Sequence, residues 1–107
     1  MYPNNLLVPL ALLLACGAAI ASEPPLERQK ELVRLVRQDC GSCHGMTLNG
    51  GLGPALLPAT LKDKPAEGLV ATIIGGRPGT AMPPWKQFVS EEEARWIVDK
   101  LMSEFPR

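Results

Sequence analysis

Histidine occurs once in this 107-residue sequence, at His44, and cysteine three times, at Cys16, Cys40 and Cys43. So thin a set of donors argues against a structural zinc site, which needs about four ligands. Aromatic residues make up only 5% of the chain, so large rings do not fill its interior. Net charge is absent too, since 11 Lys and Arg balance 11 Asp and Glu. That excludes an obvious nucleic-acid surface or a polybasic membrane patch. No segment alternates apolar and polar residues at strand period, and no internal repeat is visible. What remains is one small domain, rich in Pro and Gly, with too little chain for a large core. Domains of this size are usually stapled by a disulfide, a metal or a cofactor.

The first stretch reads as targeting sequence. Leu6 to Ala15 is apolar, interrupted by Pro9. It has the length of a signal-peptide core and is short for a membrane span. Ala19-Ile20-Ala21 offers small residues around a cleavage point, so residues 1–21 are expected to be removed and residues 22–107 to form the mature domain. Leu13-Leu14-Ala15-Cys16 is a rival site, resembling a lipoprotein box in which Cys16 is lipidated. The basic residues that such signals carry are missing before Leu6.

Beyond Ser22 the pattern is helical. Pro24 and Pro25 set an extended lead-in. From Leu26 to about Gln38, with Cys40 following, apolar residues Leu32, Val33 and Val36 recur at helical spacing. Gly45 to Pro58 is too rich in Gly and Pro for a long element. Pro65 and Ala66 open a second helix with Leu69, Val70 and Ile73 on one face, ended by Gly75-Gly76. Ser90 and Glu93 form a capping box that starts a last helix. Its apolar face is Ala94, Ile97, Val98, Leu101 and Phe105. The expected class is all-α.

Cys40-Gly41-Ser42-Cys43-His44 is a C-x-x-C-H haem attachment sequence. Two thiols three residues apart on a helical turn can each bond one vinyl group on the same edge of a porphyrin. His44 then offers its imidazole to the iron from that side. A thioredoxin-type pair belongs beside a βαβ pattern, which this chain lacks. A disulfide across so short a loop would stabilise little. The expected cofactor is therefore one covalent haem c, attached outside the cytoplasm, in keeping with the export signal.

An electron carrier favours iron that is six-coordinate in both redox states. With no second histidine, a methionine sulfur is the natural sixth ligand. Met46 lies too near His44 to cross to the other face, and Met102 is offset from the apolar face of its helix. Met82, in Gly79-Thr80-Ala81-Met82-Pro83-Pro84-Trp85, is far enough along and held by prolines. The alternative is that Met82 fills a gap in the core, leaving an open, ligand-binding iron. Pro54 offers a carbonyl to the second nitrogen of His44, or only shapes its turn. Leu56 is expected to pack on the haem face. Arg77 and Trp85 flank the Met82 loop, either bonding the haem propionates or serving as a solvated cation and a packing ring.

The C-x-x-C-H run, Gly53-Pro54, and Gly79 to Trp85 followed by a helix resemble the class I cytochromes c. The resemblance covers essentially all of residues 22–107. It implies helices wrapped around one haem, Cys40 and Cys43 in thioether links, His44 and Met82 as axial ligands, and Pro54 as the partner of His44. Cys40 to Met46, Gly50 to Leu56 and Gly76 to Trp85 are similar, more narrowly, to the small monohaem cytochromes encoded beside cytochrome cd-type nitrite reductase in denitrifying bacteria. That implies a periplasmic, monomeric, non-enzymatic electron carrier with the reductase as partner, or an assembly factor for its special haem. Many class I members carry an aromatic near the position of Lys100, whereas here Trp96 lies one turn earlier.

The processing readings give distinct masses. Intact-mass measurement of the exported protein is expected to show a chain beginning at Ser22. A diacylglyceryl-modified chain beginning at Cys16 would select the lipoprotein route instead.

Overall fold

The computed structural model describes Gly17 and residues 23–107; the expected cleavage after Ala21 and the lipidation site at Cys16 lie outside them. Every regular element among the described residues is helical. The order is α1 (Leu26–Leu35), a π-helical turn (Val36–Cys40), α2 (Gly41–His44), α3 (Pro58–Leu61), α4 (Ala66–Gly75) and α5 (Glu91–Met102).

Helix α1 begins directly after Pro25, whose carbonyl accepts the Gln29 N–H at 2.9 Å. Leu32 and Val36 are completely buried, while Val33 is only half-buried. The sequence pattern ends this helix near Gln38, but the chain continues helically to His44 through the π turn. A π turn bonds residue i to i+5 and so holds one residue more than an α turn. Here the Gly41 N–H reaches the Val36 carbonyl. That extra residue shifts the phase of everything downstream, so Cys40 and Cys43 leave the face that Leu32 defines. Charge periodicity alone does not reveal such a shift.

Helix α3 was not legible in the loop composition. Pro58 occupies its first turn, where a missing N–H costs nothing, and Leu61 is buried. Helix α4 matches the expected bounds, with Val70 buried and Leu69, Ile73 and Ile74 packed against the core. Helix α5 packs on both α3 and α4. It buries Ala94, Trp96, Ile97, Val98 and Leu101. Phe105 lies past its end, not on its face, with the Arg37 guanidinium 5.2 Å from its ring centre. Trp96 is 7% exposed, so it supplies the aromatic packing of this helix, with the Lys100 ammonium 5.7 Å from its ring centre.

Glu93 joins the two ends of the chain. The Ser90 hydroxyl accepts the Glu93 N–H at 3.1 Å, and the Glu93 carboxylate accepts the Ser90 N–H at 2.9 Å. The same carboxylate takes a two-pronged hydrogen bond from the Arg28 guanidinium of α1. Arg28 also donates to the Phe88 carbonyl at 2.7 Å. One acidic side chain thus caps α5 and ties α1 to it.

That hydrogen bond from Arg28 is the main reason the Glu93 carboxyl sits below its ordinary pKa. A carboxyl whose pKa falls on folding binds fewer protons in the native state. Its contribution is therefore complete above the unfolded value and fades as pH drops through the lowered one. Glu93→Gln is expected to reduce stability at neutral pH, with the gap to wild type closing below about pH 4, where both side chains are uncharged. Denaturant midpoints of both proteins across that range provide the check.

Candidate functional site

The C-x-x-C-H residues occupy the end of the π turn and all of α2, with Cys40 and Cys43 separated by one helical turn. Both cysteines are free thiols and half-buried. Burial first, and then the negative charge of Asp39, push the Cys40 thiol up to about 11. It is therefore protonated at neutral pH, unlike the depressed thiolate of a thioredoxin-type nucleophile.

A helix leaves its last carbonyls without partners, and a buried end must find some. Here the Gly-rich loop folds back to supply them. Gly45, at φ +91°, stops α2. The Gly50 N–H then donates to the His44 carbonyl and the Gly53 N–H to the Cys43 carbonyl, each at 2.8 Å. Leu48 takes a left-handed φ of +63°, uncommon for a branched side chain, and is 2% exposed. The burial of its side chain holds it there, and its carbonyl accepts the Leu56 N–H at 2.9 Å.

This return path carries Gly53-Pro54 across the His44 ring. The Pro54 carbonyl lies 2.7 Å from His44 Nδ1. A carbonyl only accepts, so Nδ1 carries the proton and Nε2 is left with a free lone pair. The approach is close enough to need glycine: a Cβ on residue 53 would sit 2.9 Å from His44 Cε1. Sequence reading found Pro54 but missed Gly53 as a contact of the ring. The run Gly50-Gly51-Leu52-Gly53 signals only a tight path, not what the path passes.

The Met82 loop is set by the end of α4. The Arg77 N–H donates to the Met82 carbonyl at 3.1 Å, and the Trp85 N–H to the Ile73 carbonyl at 2.9 Å. Gly76, at φ +68°, lies so near the next strand of the loop that a Cβ would meet Pro83 C and Pro84 N at 2.7 Å. Met82 is half-buried, whereas the Arg77 side chain is exposed. Arg77 thus meets Met82 through its main chain, a contact that side-chain reasoning did not foresee. Trp85 and Leu56 are both half-buried against the core, and the Trp85 ring lies 5.8 Å from that of Phe88.

The donor set fits haem c. Two uncombined thiols lie one turn apart, followed at once by a histidine whose Nδ1–H is taken and whose Nε2 is free. Half-buried apolar groups such as Leu56, Ile73 and Trp85 remain incompletely covered by protein. An all-α chain with this constellation is a c-type cytochrome.

Related proteins carry the assignment further. Residues 27–99 match the profile of the family described as cytochrome c oxidase, cbb3-type, subunit III. Cytochrome c55X of Pseudomonas aeruginosa is 55% identical over 95 residues, covering 87% of this chain and 80% of that protein. The solved structure of the c-type cytochrome NirC superposes with a TM-score of 0.73 at 56% identity, over 74% of this chain and 93% of that one. Dihydro-heme d1 dehydrogenase of P. aeruginosa is 40% identical over 103 residues, which is 94% of this chain but 20% of that enzyme. This chain belongs to the cytochrome c family and, within it, groups with the cytochromes c55X. Its cofactor is covalent haem c, its work is electron transfer with partner proteins, and like its small relatives it is not an enzyme. No helix among the described residues is long and apolar enough to cross a membrane.

Gly53→Ala tests the packing at His44. The ring must move off the Pro54 carbonyl or the loop must lift, so unfolding experiments are expected to show a loss of about 1–3 kcal/mol.

Proposed function

We propose that residues 22–107, freed from a signal peptide of residues 1–21, form a periplasmic one-electron carrier for denitrification, with cytochrome cd-type nitrite reductase as its partner. In this reading Cys40 and Cys43 hold haem c through thioether bonds. His44 Nε2 and Met82 Sδ ligate its iron, and the haem supplies a one-electron couple. The observation that carries the reading is the His44–Pro54 hydrogen bond at 2.7 Å. It fixes the tautomer that leaves Nε2 free, fixes the ring plane, and raises the basicity of the ligand.

The other residues act on orientation and on water. The ties from Arg77 and Ile73 to the Met82 loop hold the thioether in place, so that little moves when an electron arrives. Leu56 and Trp85 give apolar cover. Arg77 has its guanidinium exposed and available to a propionate. The domain carries no net charge, so no large field steers its encounters and docking depends weakly on salt. Monomeric action fits a transient carrier.

A second reading, as an assembly factor for the reductase, draws support from one observation. Nearly the whole chain is similar to a fifth of dihydro-heme d1 dehydrogenase, whose name places it in the chemistry of that haem. A deletion strain separates the two readings. A carrier role leaves the reductase fully loaded but short of electrons; an assembly role yields reductase without its second haem.

Met82→Ala is expected to lower the reduction potential by tenths of a volt, the direction set by losing a thioether ligand, while haem stays attached. His44→Ala is expected to give no mature haem protein. Potentiometric titration and haem staining of periplasmic extracts measure these outcomes, and an unchanged potential in the first variant would remove Met82 from the iron.

A further inference from the structure

Prolines on one side and α4 on the other hold the ends of the Met82 loop, but its interior is tied differently. The Thr80 hydroxyl donates to the Arg77 carbonyl at 2.7 Å and lies 3.3 Å from the Met82 nitrogen, whose N–H it accepts. The Thr80 N–H donates to the same Arg77 carbonyl at 3.0 Å, while the Arg77 N–H bonds the Met82 carbonyl at 3.1 Å. Residues 77–82 therefore close on themselves, and one hydroxyl bridges the main chain at both ends of the ring. Gly79, at φ +78°, makes the turn that brings Thr80 round.

We propose that Thr80 is a positioning residue for Met82: its hydroxyl locks the Met82 main chain to Arg77 and so sets how firmly the thioether is presented. The proposal rests on the reading of Met82 as axial ligand. Thr80 is exposed and makes no contribution to the core, so its value lies in these bonds and not in burial. With the hydroxyl gone, the Arg77 carbonyl keeps the Thr80 N–H, and Gly76 and Trp85 still anchor the outer ends. The loop then keeps its course, but the Met82 N–H turns to water and the sulfur leaves its place more often.

Ligand exchange reads that quantity. Cyanide, offered to the ferric holoprotein, binds iron only when the methionine sulfur has left, and no electron is gained or lost in the exchange. Thr80→Val keeps the branched shape and removes the hydroxyl. Thr80→Ser keeps the hydroxyl and removes the methyl. The valine variant is expected to bind cyanide about three- to tenfold faster than wild type, the effect of losing one hydrogen bond. The serine variant is expected to stay within about twofold of wild type, and Thr80→Ala to behave like valine.

Valine at or below the wild-type rate, or serine as fast as valine, overturns the role of the hydroxyl. The weak sulfur-to-iron band in the far-red ferric spectrum keeps the two claims apart. If wild type shows that band and the variants exchange alike, only the Thr80 proposal fails. If wild type lacks it, the Met82 ligation fails and this proposal with it.

Discussion

A single hydrogen bond, from His44 Nδ1 to the Pro54 carbonyl, gives the site its order. It exists because a helix that ends at His44 must have its last carbonyls answered, and the chain answers them by turning back at Gly45. Gly50 and Gly53 donate to His44 and Cys43, and the next residue is Pro54. Capping and ligand orientation are thus one structural event. Glycine is required where the path passes the ring, and proline supplies a carbonyl without an N–H of its own. The residues that look like loop composition in the sequence are the ones that aim the imidazole.

The second half of the site is built on another helix end. Helix α4 stops at Gly75, and Gly76 lets the Met82–Pro84 segment pass at backbone contact distance. Two main-chain bonds, Arg77 to Met82 and Trp85 to Ile73, then fix the segment to α4. Since α4 packs on α5, and Glu93 of α5 is bonded to Arg28 of α1, the Met82 loop and the C-x-x-C-H turn belong to one connected frame. A small domain achieves this with a modest core, because its cofactor is bonded to the chain and completes the interior.

Much of this arrangement is legible from residue order alone. Cys40, Cys43 and His44 announce their chemistry by spacing, Ser90 and Glu93 form the capping box where their pattern places it, and α4 runs between the Pro65 and Gly75 signals. The failures have physical causes. The π turn is a change of hydrogen-bond register, to which apolar periodicity is nearly blind. Helix α3 is a single turn, too short to show a period. Phe105 continues the apolar spacing of α5 but follows Ser103, where the helix has already ended. Gly53, Gly76 and the main chain of Arg77 act through close approach, which depends on where a second segment runs and not on side-chain chemistry.

The central claim, that His44 and Met82 share the iron of a carrier, is tested most directly by selective labelling of methionine methyl groups. In the ferrous holoprotein a methyl group beside the iron lies over the porphyrin and has its NMR signal displaced far upfield. The account predicts one such signal, lost in a Met82 variant, with Met46 and Met102 near their ordinary positions. An upfield signal belonging to Met46 or Met102, or none at all, would contradict it.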